Sequence, residues 1–501
     1  MVVPGQQRAA PGHRRVAPAP ALAPAPERVP LRRLMRAAAV ACGVQFGWAL
    51  QLSLLTPYVQ ELGIAHAWAS LVWLCGPLSG LLVQPLAGHM SDRCRSGFGR
   101  RRPFIAAGAA TIALAVILIG YSADIGDILG DPRGPVHRPR AVVVFVIGFW
   151  LLDVGNNATQ GPCRALLADL SGKDHRRTRI ANAYFSLFMA LGNILGFATG
   201  SYSGWYTILP FTLTSACSVN CANLKSAFIL DIVLLALTTY ISISSIQEIP
   251  LSDMGAEHSV EEVQQEAFLW ELIGSFRYLT PPIWIVLIVV SLTWVGWFPF
   301  FLFDTDWMGR EIYKGKPNEG HAYHSGVRMG SLGLMLNSVV LGVTSVILER
   351  LCRKWGAGLV WGISGILMSI CFGAMLIISY VAETTEYPSS GIPPIGIIVA
   401  ALIVFAVLGA PLAITYSIPY AMISTRTEPL RLGQGLAMGI LNLAIVVPQV
   451  IVSLGSGPWD QLFGGGNSPA FAVAAVAAFC SGLMAIIALP RSSITRARTH
   501  K

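Results

Sequence analysis

The sequence predicts an all-α membrane protein with twelve transmembrane helices in two halves of six. Hydrophobic residues make up 54% of its 501 residues and charged residues only 12%, whereas soluble domains are about 25% charged. Continuous apolar runs of about 20 residues recur along the chain, and each is long enough to cross about 30 Å of hydrocarbon. Because these runs do not alternate apolar with polar residues, they exclude a β-barrel.

Hydropathy divides the chain into two halves around an acidic segment. We predict one half in residues 35–246 and another in residues 282–490, joined by an acidic cytosolic linker at 247–281. Residues 1–34 are rich in Pro, Ala and Arg and predict a disordered cytosolic tail, whereas residues 491–501 predict a basic cytosolic tail. The predicted spans are 35–58, 69–90, 103–122, 141–168, 180–201, 225–246, 282–303, 327–348, 357–380, 394–418, 433–455 and 469–489.

The distribution of basic residues predicts the topology of the chain. The formal net charge is +9, but Lys and Arg cluster in the tails and in loops that follow even-numbered spans. This pattern is typical of cytosolic segments and places both termini in the cytosol. We therefore expect a lipid bilayer, and no nucleic acid, as the partner of this charge. The oligomeric state stays open.

The 9 cysteines do not indicate a metal site, because neither a CxxC pair nor another metal-binding spacing occurs. Cys217 and Cys221 lie in the loop after the fifth span. A disulfide between them, or from either one to another loop, is left open. No GxxxxGK[ST] motif occurs, so no nucleotide or other cofactor is expected.

Polar residues form a stripe along the fourth predicted span. At about 100° per residue on an α-helix, Asp153, Asn157, Gln160 and Arg164 share one face. An acid and a base on one face of a membrane helix are costly, so they mark an ion or substrate pathway by default. The alternative is a buried ion pair that only locks two helices, although such a lock needs no intervening amides.

The two halves contain related motifs. Residues 46–58 read FGWALQLSLLTPY and residues 295–307 read VGWFPFFLFDTDW, which align on Gly-Trp and Thr without a gap. Two related halves of six helices are the layout of major facilitator transporters, whose substrate site lies between the halves near the midplane.

Residues 88–103 read GHMSDRCRSGFGRRRP and resemble the GxxxDRxGRR signature of that superfamily. We expect Asp92 to contact arginines and a helix end in one conformation only, as a latch on the cytosolic side. An ordinary basic loop is the alternative. The predicted latch residues are Asp92, Arg93, Arg100 and Arg101.

Several stretches are similar to plant sucrose–proton symporters, in the glycoside–pentoside–cation branch of the superfamily. They include SDRCRSGFGRRRPFI at 91–105, LDVGNNATQGPCRALLADL at 152–170 and WFPFFLFDTDWMGREIY at 297–313. The similarity runs from about Val29 to Pro490 and is greatest for the branch often found on the vacuolar membrane. The resemblance therefore implies transport of sucrose with protons, and favours the vacuolar membrane over the plasma membrane.

The resemblance also implies roles for single residues. Asp153 is the expected proton acceptor, Arg164 its partner and a sugar ligand, and His66 a residue linked to sucrose binding. Ala65 precedes this histidine, where the family has Pro, which puts the shape of that loop in doubt. The further predicted sugar ligands are Asn157, Gln160, Tyr58, Trp73 and Gln449. The predicted outer gate is Asp304, Asp306, Arg310 and Glu311, for which a solvated loop is the alternative.

These expectations combine into proton-coupled symport by alternating access. A proton on Asp153 would release Arg164 to donate hydrogen bonds to sugar hydroxyls. One proton supplies about 2.3 kcal/mol per 100 mV and about 1.4 kcal/mol per pH unit. Symport of another glucoside stays open. A membrane-embedded enzyme is not expected, because neither HExxH nor GxSxG occurs. A sugar sensor is disfavoured, because sensors usually have a longer cytosolic segment than the linker at 247–281.

Overall fold

The structure is a computed structural model of the chain. It describes residues 29–52, 58, 62, 75–132, 138–172, 174–202, 204–217, 219–244, 246, 248, 274, 276–315, 321–387, 392–430, 433–462 and 467–489.

The described residues of the first half form nine helices, several of them short. They are α1 (Leu31–Ala38), α2 (Val40–Leu50), α3 (Cys75–Asp92), α4 (Arg102–Gly120), α5 (Ser122–Ile128), α6 (Pro139–Ser171), α7 (His175–Ser201), α8 (Trp205–Ile208) and α9 (Val219–Ser244). A 3₁₀ turn, Pro210–Thr212, follows α8.

In the second half, the part of the chain that the structure describes forms six long helices. They are α10 (Pro281–Trp307), α11 (His321–Trp355), α12 (Ala357–Thr384), α13 (Ile395–Thr427), α14 (Gln434–Leu462) and α15 (Ser468–Ala488). A π-helical turn, Met308–Ile312, continues α10.

Ten helices of the described residues are long and apolar enough to cross a membrane. They match the third to twelfth predicted spans, and the chain is an integral, multi-pass membrane protein. The first predicted span begins in α1 and α2 and the second ends in α3, while much of the chain between residues 53 and 74 lies outside the described residues. Several helices extend beyond the predicted spans, as α11 does, because hydropathy marks only the apolar part of a helix.

Buried apolar residues form two clusters that follow the two halves. One cluster contains residues between Leu34 and Ile246. The other contains residues between Leu279 and Leu489, together with a few from the first half such as Ala190. The halves meet where α3 packs on α14 and where α7 packs on α11 and α13. This interface positions the polar residues of α6.

Candidate functional site

Asp153 lies near the middle of α6 and is 2% exposed. Its Oδ2 atom is buried and has no hydrogen-bond partner in the described part of the chain. The neighbouring helix α3 comes close at Gly76, where a Cβ would lie 3.7 Å from that oxygen. An unpaired buried carboxylate ion costs much more than a neutral acid, so these surroundings suit the protonated form.

Amides and a hydroxyl surround Asp153 at the interface. The Asn157 Nδ2 donates to Ser79 Oγ at 3.1 Å and to the Asp153 carbonyl oxygen at 2.9 Å. From the second half, Asn442 Nδ2 donates to the Gly80 carbonyl oxygen at 2.6 Å. Because amides and hydroxyls both donate and accept hydrogen bonds, this layer matches the chemistry of a sugar hydroxyl.

Arg164 lies closer to the end of α6 and connects the two halves. Its side chain is buried, and Nη1 donates to Asn182 Oδ1 at 3.1 Å and to the Tyr416 carbonyl oxygen at 2.9 Å. The guanidinium carbon lies 4.0 Å from the ring centroid of Phe185 and 3.5 Å from that of Tyr420. Both tyrosines belong to α13 of the second half. Cation–π contacts that are shielded from water contribute about 2 kcal/mol, so Arg164 stabilises this arrangement of the halves.

The structure does not bring Asp153 and Arg164 together. They are 164 − 153 = 11 residues apart on one continuous helix, which corresponds to about 16 Å. This conformation contains no direct ion pair between them, because helical periodicity sets direction while the rise along the axis sets distance. Any coupling between the two residues has to pass through the interface of the halves.

Tyr58 does not lie at this interface. It is 1% exposed, its hydroxyl lies 2.6 Å from Ser122 Oγ, and it accepts a hydrogen bond from the Ala123 N–H at 3.2 Å. Its ring centroid is 6.1 Å from that of Phe145. All three neighbours belong to the first half, and the assignment of Tyr58 to sugar binding stays a prediction.

The other predicted sugar ligands differ in how far the structure describes them. Gln160 on α6 and Gln449 on α14 are half-buried. His66 and Trp73 lie outside the described residues.

Asp92 lies at the end of α3, where it contacts the start of α14. It accepts hydrogen bonds from the backbone N–H groups of Gly435 at 3.1 Å and Leu436 at 2.9 Å, and it pairs with Arg101. Arg101 also pairs with Asp169 at 3.0 Å. Burial alone would lower the pKa of Arg101, but the carboxylates of Asp169 and Asp92 raise its pKa above the ordinary value. A carboxylate at a helix N-terminus is favourable, so Asp92 links the two halves.

Arg100 joins the same cluster through Asp169 at 3.1 Å, whereas Arg93 is exposed. Asp169 was not predicted as a member, although an acidic residue two positions before the end of α6, beside the basic loop that follows, was a signal. The structure thus assembles Asp92, Arg100 and Arg101 with a helix end of the other half.

Glu248, just after α9, also contacts this cluster. It accepts hydrogen bonds from the backbone N–H of Arg101 at 3.0 Å and of Arg102 at 3.5 Å. Burial raises the pKa of Glu248, although these hydrogen bonds oppose the shift. Gly99 has φ +103°, and a Cβ there would lie 2.0 Å from Glu248 Oε2. Only glycine fits this position without strain.

Two further contacts close the same end of the bundle. The backbones of α3 and α14 nearly touch, since a Cβ on Gly88 would lie 2.3 Å from the Gly435 carbonyl oxygen. Glu349 on α11 pairs with Arg176 at 3.3 Å and Arg179 at 3.2 Å on α7. Sequence reasoning missed Glu349, although an acidic residue beside Arg350, Arg353 and Lys354 was a signal. The halves are held together at the end that carries these basic loops.

The four residues predicted as an outer gate lie within the second half. Asp306 pairs with Arg310 at 3.0 Å and accepts hydrogen bonds from Tyr323 Oη at 2.7 Å and Asn467 Nδ2 at 3.1 Å. These contacts join α10 to α11 and to the start of α15, and therefore connect helices of the same half.

The other two members of this group have similar surroundings. Glu311 accepts hydrogen bonds from the Asn467 N–H at 2.7 Å and the Ser468 hydroxyl at 3.0 Å, at the start of α15. Asp304 is buried and accepts from the adjacent N–H of Thr305 at 2.5 Å. These contacts do not cross between the halves in this conformation.

A disulfide joins Cys217, in the loop before α9, to Cys221 in the first turn of α9, which resolves the open pairing. Six residues after α9 begins, the buried Lys225 pairs with Asp124 of α5. The disulfide fixes the loop to the start of α9, and the ion pair fixes that start against α5.

Comparison with known proteins identifies the family. The Major Facilitator Superfamily model matches residues 37–381. Sucrose transport protein SUT2 of Oryza sativa subsp. japonica is 70% identical over 487 residues, which cover 96% of this chain and 97% of that protein. Sucrose transport protein SUC4 of Arabidopsis thaliana is 64% identical over 478 residues, with 95% and 94% covered.

Solved structures show the same fold. The E. coli fucose:proton symporter FucP aligns with a TM-score of 0.60 at 13% identity, over 90% of this chain and 98% of that one. The proton:xylose symporter XylE aligns with a TM-score of 0.56 at 15% identity, over 90% and 94%. The chain therefore has the major facilitator fold and belongs to the plant sucrose transport proteins, a family of membrane transporters rather than enzymes.

Proposed function

We propose that this protein carries sucrose across a membrane together with a proton, by alternating access between its two halves. The observation that carries the proposal is Asp153, a carboxyl group buried near the middle of α6. Its Oδ2 has no hydrogen-bond partner among the described residues and lies beside amides of both halves. The relatives named sucrose transport proteins, at 64–70% identity, support the choice of substrate. Protons are the proposed coupling ion, and no other cofactor is part of the scheme.

Asp153 is the proposed proton acceptor. In the present conformation its surroundings favour the neutral acid, so a proton has to be bound before this packing forms. Asn157, Ser79 and Asn442 then offer hydrogen-bond donors and acceptors to sugar hydroxyls from both halves. Proton and sugar each favour the same arrangement, so each strengthens the binding of the other to an equal extent.

Arg164 is the proposed coupling residue on the closed side. Opening the end that carries the basic loops requires Arg164 to leave the Tyr416 carbonyl and the Tyr420 ring. It therefore reaches a sugar only in a conformation that has broken these contacts. Arg164 affects Asp153 by changing the distance between α6 and α13, and not through a direct ion pair.

The test measures the uptake of labelled sucrose, and its exchange for unlabelled sucrose, in proteoliposomes that contain the Asp153→Asn variant. Asp174→Asn serves as the control. Asp174 caps α7 within the first half, so its change controls for the loss of a negative charge. We expect Asp153→Asn to lose proton-driven accumulation but to retain exchange, because Asn resembles the protonated acid. Accumulation at the wild-type level in Asp153→Asn would refute the proposal.

We also propose that the protein lies in the vacuolar membrane with both termini in the cytosol. The similarity of its sequence to the vacuolar-type branch and its basic tails support this location. Cotransport with protons would then move sucrose from the vacuolar lumen into the cytosol. Microscopy of a fluorescently tagged chain tests it, and a signal confined to the plasma membrane contradicts it.

A further inference from the structure

Two serines face each other across the interface of the halves, and the scheme above does not use them. Ser186 on α7 and Ser417 on α13 are 0% and 1% exposed, and their Oγ atoms lie 2.6 Å apart. The backbone carbonyl oxygen of Asn182 lies 3.1 Å from Ser186 Oγ and 3.3 Å from Ser417 Oγ. We call this group of two hydroxyls and one carbonyl the serine contact.

The serine contact has two protons for three close approaches. Each hydroxyl has one proton to donate, so one serine donates to the Asn182 carbonyl and the other donates to the hydroxyl oxygen of the first. In either arrangement, at least one hydrogen bond crosses from one half to the other. Both hydroxyls are therefore satisfied in this conformation, although both side chains are shielded from water.

Ser417 differs from other buried hydroxyl residues in the helices of the second half. Their usual acceptor is the carbonyl four residues earlier in the same helix, as for Thr293, Ser338, Ser345 and Thr415. In the described part of the chain, the hydroxyl of Ser417 contacts only α7. The carbonyl four residues earlier in α13 belongs to Ala413, so the hydroxyl has a second acceptor when the halves separate.

Asn182 connects the serine contact to Arg164. Its Oδ1 accepts a hydrogen bond from Arg164 Nη1 at 3.1 Å, while its Nδ2 donates to the Thr178 carbonyl oxygen at 3.0 Å. The same Nη1 donates to the carbonyl oxygen of Tyr416, which directly precedes Ser417. The first half therefore holds two successive residues of α13, one through the guanidinium and the next through the serine contact.

We propose that Ser417 is a positioning residue of transport, which links the release of Arg164 to the separation of α7 and α13. This proposal rests on the alternating access proposed above. Because Tyr416 and Ser417 are neighbours in one helix, the Tyr416 carbonyl leaves Arg164 together with the departure of Ser417 from the serine contact. The Ser417 hydroxyl then turns to the Ala413 carbonyl. It thus favours closure without leaving an unsatisfied hydroxyl in the open form.

The test measures the distance between the halves with spin labels at Phe98 and Trp355, which are exposed at the end that carries the basic loops. Ser417→Ala removes the hydrogen bonds of the serine contact that cross between the halves. We expect the ratio of open to closed protein to rise about two- to tenfold, the effect of one neutral hydrogen bond. Ser186→Ala should raise it less, because Ser417 still donates to the Asn182 carbonyl.

The matched control is Ser338→Ala. Ser338 is also buried in a helix of the second half, but its hydroxyl donates to the Leu334 carbonyl of the same helix. If Ser417 contributed to stability alone, both variants would lower the thermal unfolding temperature and leave the distance unchanged. We expect the distance to change in Ser417→Ala only. An unchanged distance in Ser417→Ala, or an equal change in Ser338→Ala, would overturn the proposal.

A double variant, Ser186→Ala with Ser417→Ala, tests whether the two hydroxyls act on each other. Without the Ser417 hydroxyl, Ser186 keeps only the carbonyl of its own helix, so we expect the double variant to match Ser417→Ala alone. Shifts that simply add would show independent effects and contradict the serine contact. The distances are measured without sucrose and without a pH gradient, so they decide on Ser417 even if Asp153→Asn refutes proton coupling.

Discussion

Removing the charge of Asp92 tests whether contacts at the basic-loop end hold the two halves together. In Asp92→Asn, one side-chain oxygen remains to accept a hydrogen bond, but the charge that faces the start of α14 is lost. The ion pair with Arg101 lies within the first half, so its loss affects both conformations alike. Only the contacts with the Gly435 and Leu436 N–H groups, at 3.1 and 2.9 Å, favour the closed arrangement.

The magnitude follows from these two hydrogen bonds. A hydrogen bond to a charged group contributes about 1.5–3 kcal/mol, and a neutral one about 0.5–1.5 kcal/mol. Replacing two charged contacts with one neutral contact therefore weakens the closed arrangement by about 2.5–4.5 kcal/mol. Since 1.4 kcal/mol is a factor of ten, the equilibrium shifts about 60- to 1,600-fold toward opening at this end.

Spin labels at Phe98 and Trp355 measure the shift as a distance between the halves, because both side chains are exposed on opposite sides of the interface. The matched control is Asp174→Asn. This carboxylate also accepts from two backbone N–H groups, those of Arg176 and Arg177, but within one half. We expect a population at longer distance in Asp92→Asn only. The reasoning fails if both variants keep the wild-type distance or if both change equally.

Two further changes probe the same end of the molecule. Gly99→Ala places a Cβ against Glu248 at positive φ, so we expect a loss of about 1–3 kcal/mol in stability, measured by thermal unfolding. The control Gly97→Ala has open space around it, and an equal loss there would contradict this explanation. Arg164→Lys loses the planar contacts with two rings, so we expect about tenfold weaker closure in the same distance measurement. Unchanged distances in Arg164→Lys would show that these contacts do not hold the halves.

The fold was predictable because its main determinants are local in sequence. Apolar runs identified the helices without any knowledge of contacts. The stripe of α6 was also local, and Asp153 and Asn157 do lie in one polar layer. The motif at residues 88–103 matches the superfamily signature closely enough to predict that Asp92 contacts an arginine such as Arg101.

The partners of Arg164 were not predictable in this way. Tyr416 follows it by 252 residues, and no periodicity in α6 indicates which residues of α13 lie opposite. The pairing with Asp153, expected when no proton is bound, is not made in this conformation, because residues on one face of a helix still differ in depth. The packing of Tyr58 against Ser122 and Phe145 could not be predicted either, because an aromatic residue fits packing and sugar binding equally well.

The hydrogen bonds of Glu248 attach the chain to the first half at a point four residues beyond the end of α9. The connecting segment leaves the first half beside the N-terminus of α4, and not at the last turn of α9 where the transmembrane helix ends. Any pull along the linker is thus transmitted to the residues that surround Arg101. The linker between the halves is therefore attached beside the contacts that hold the halves together at this end.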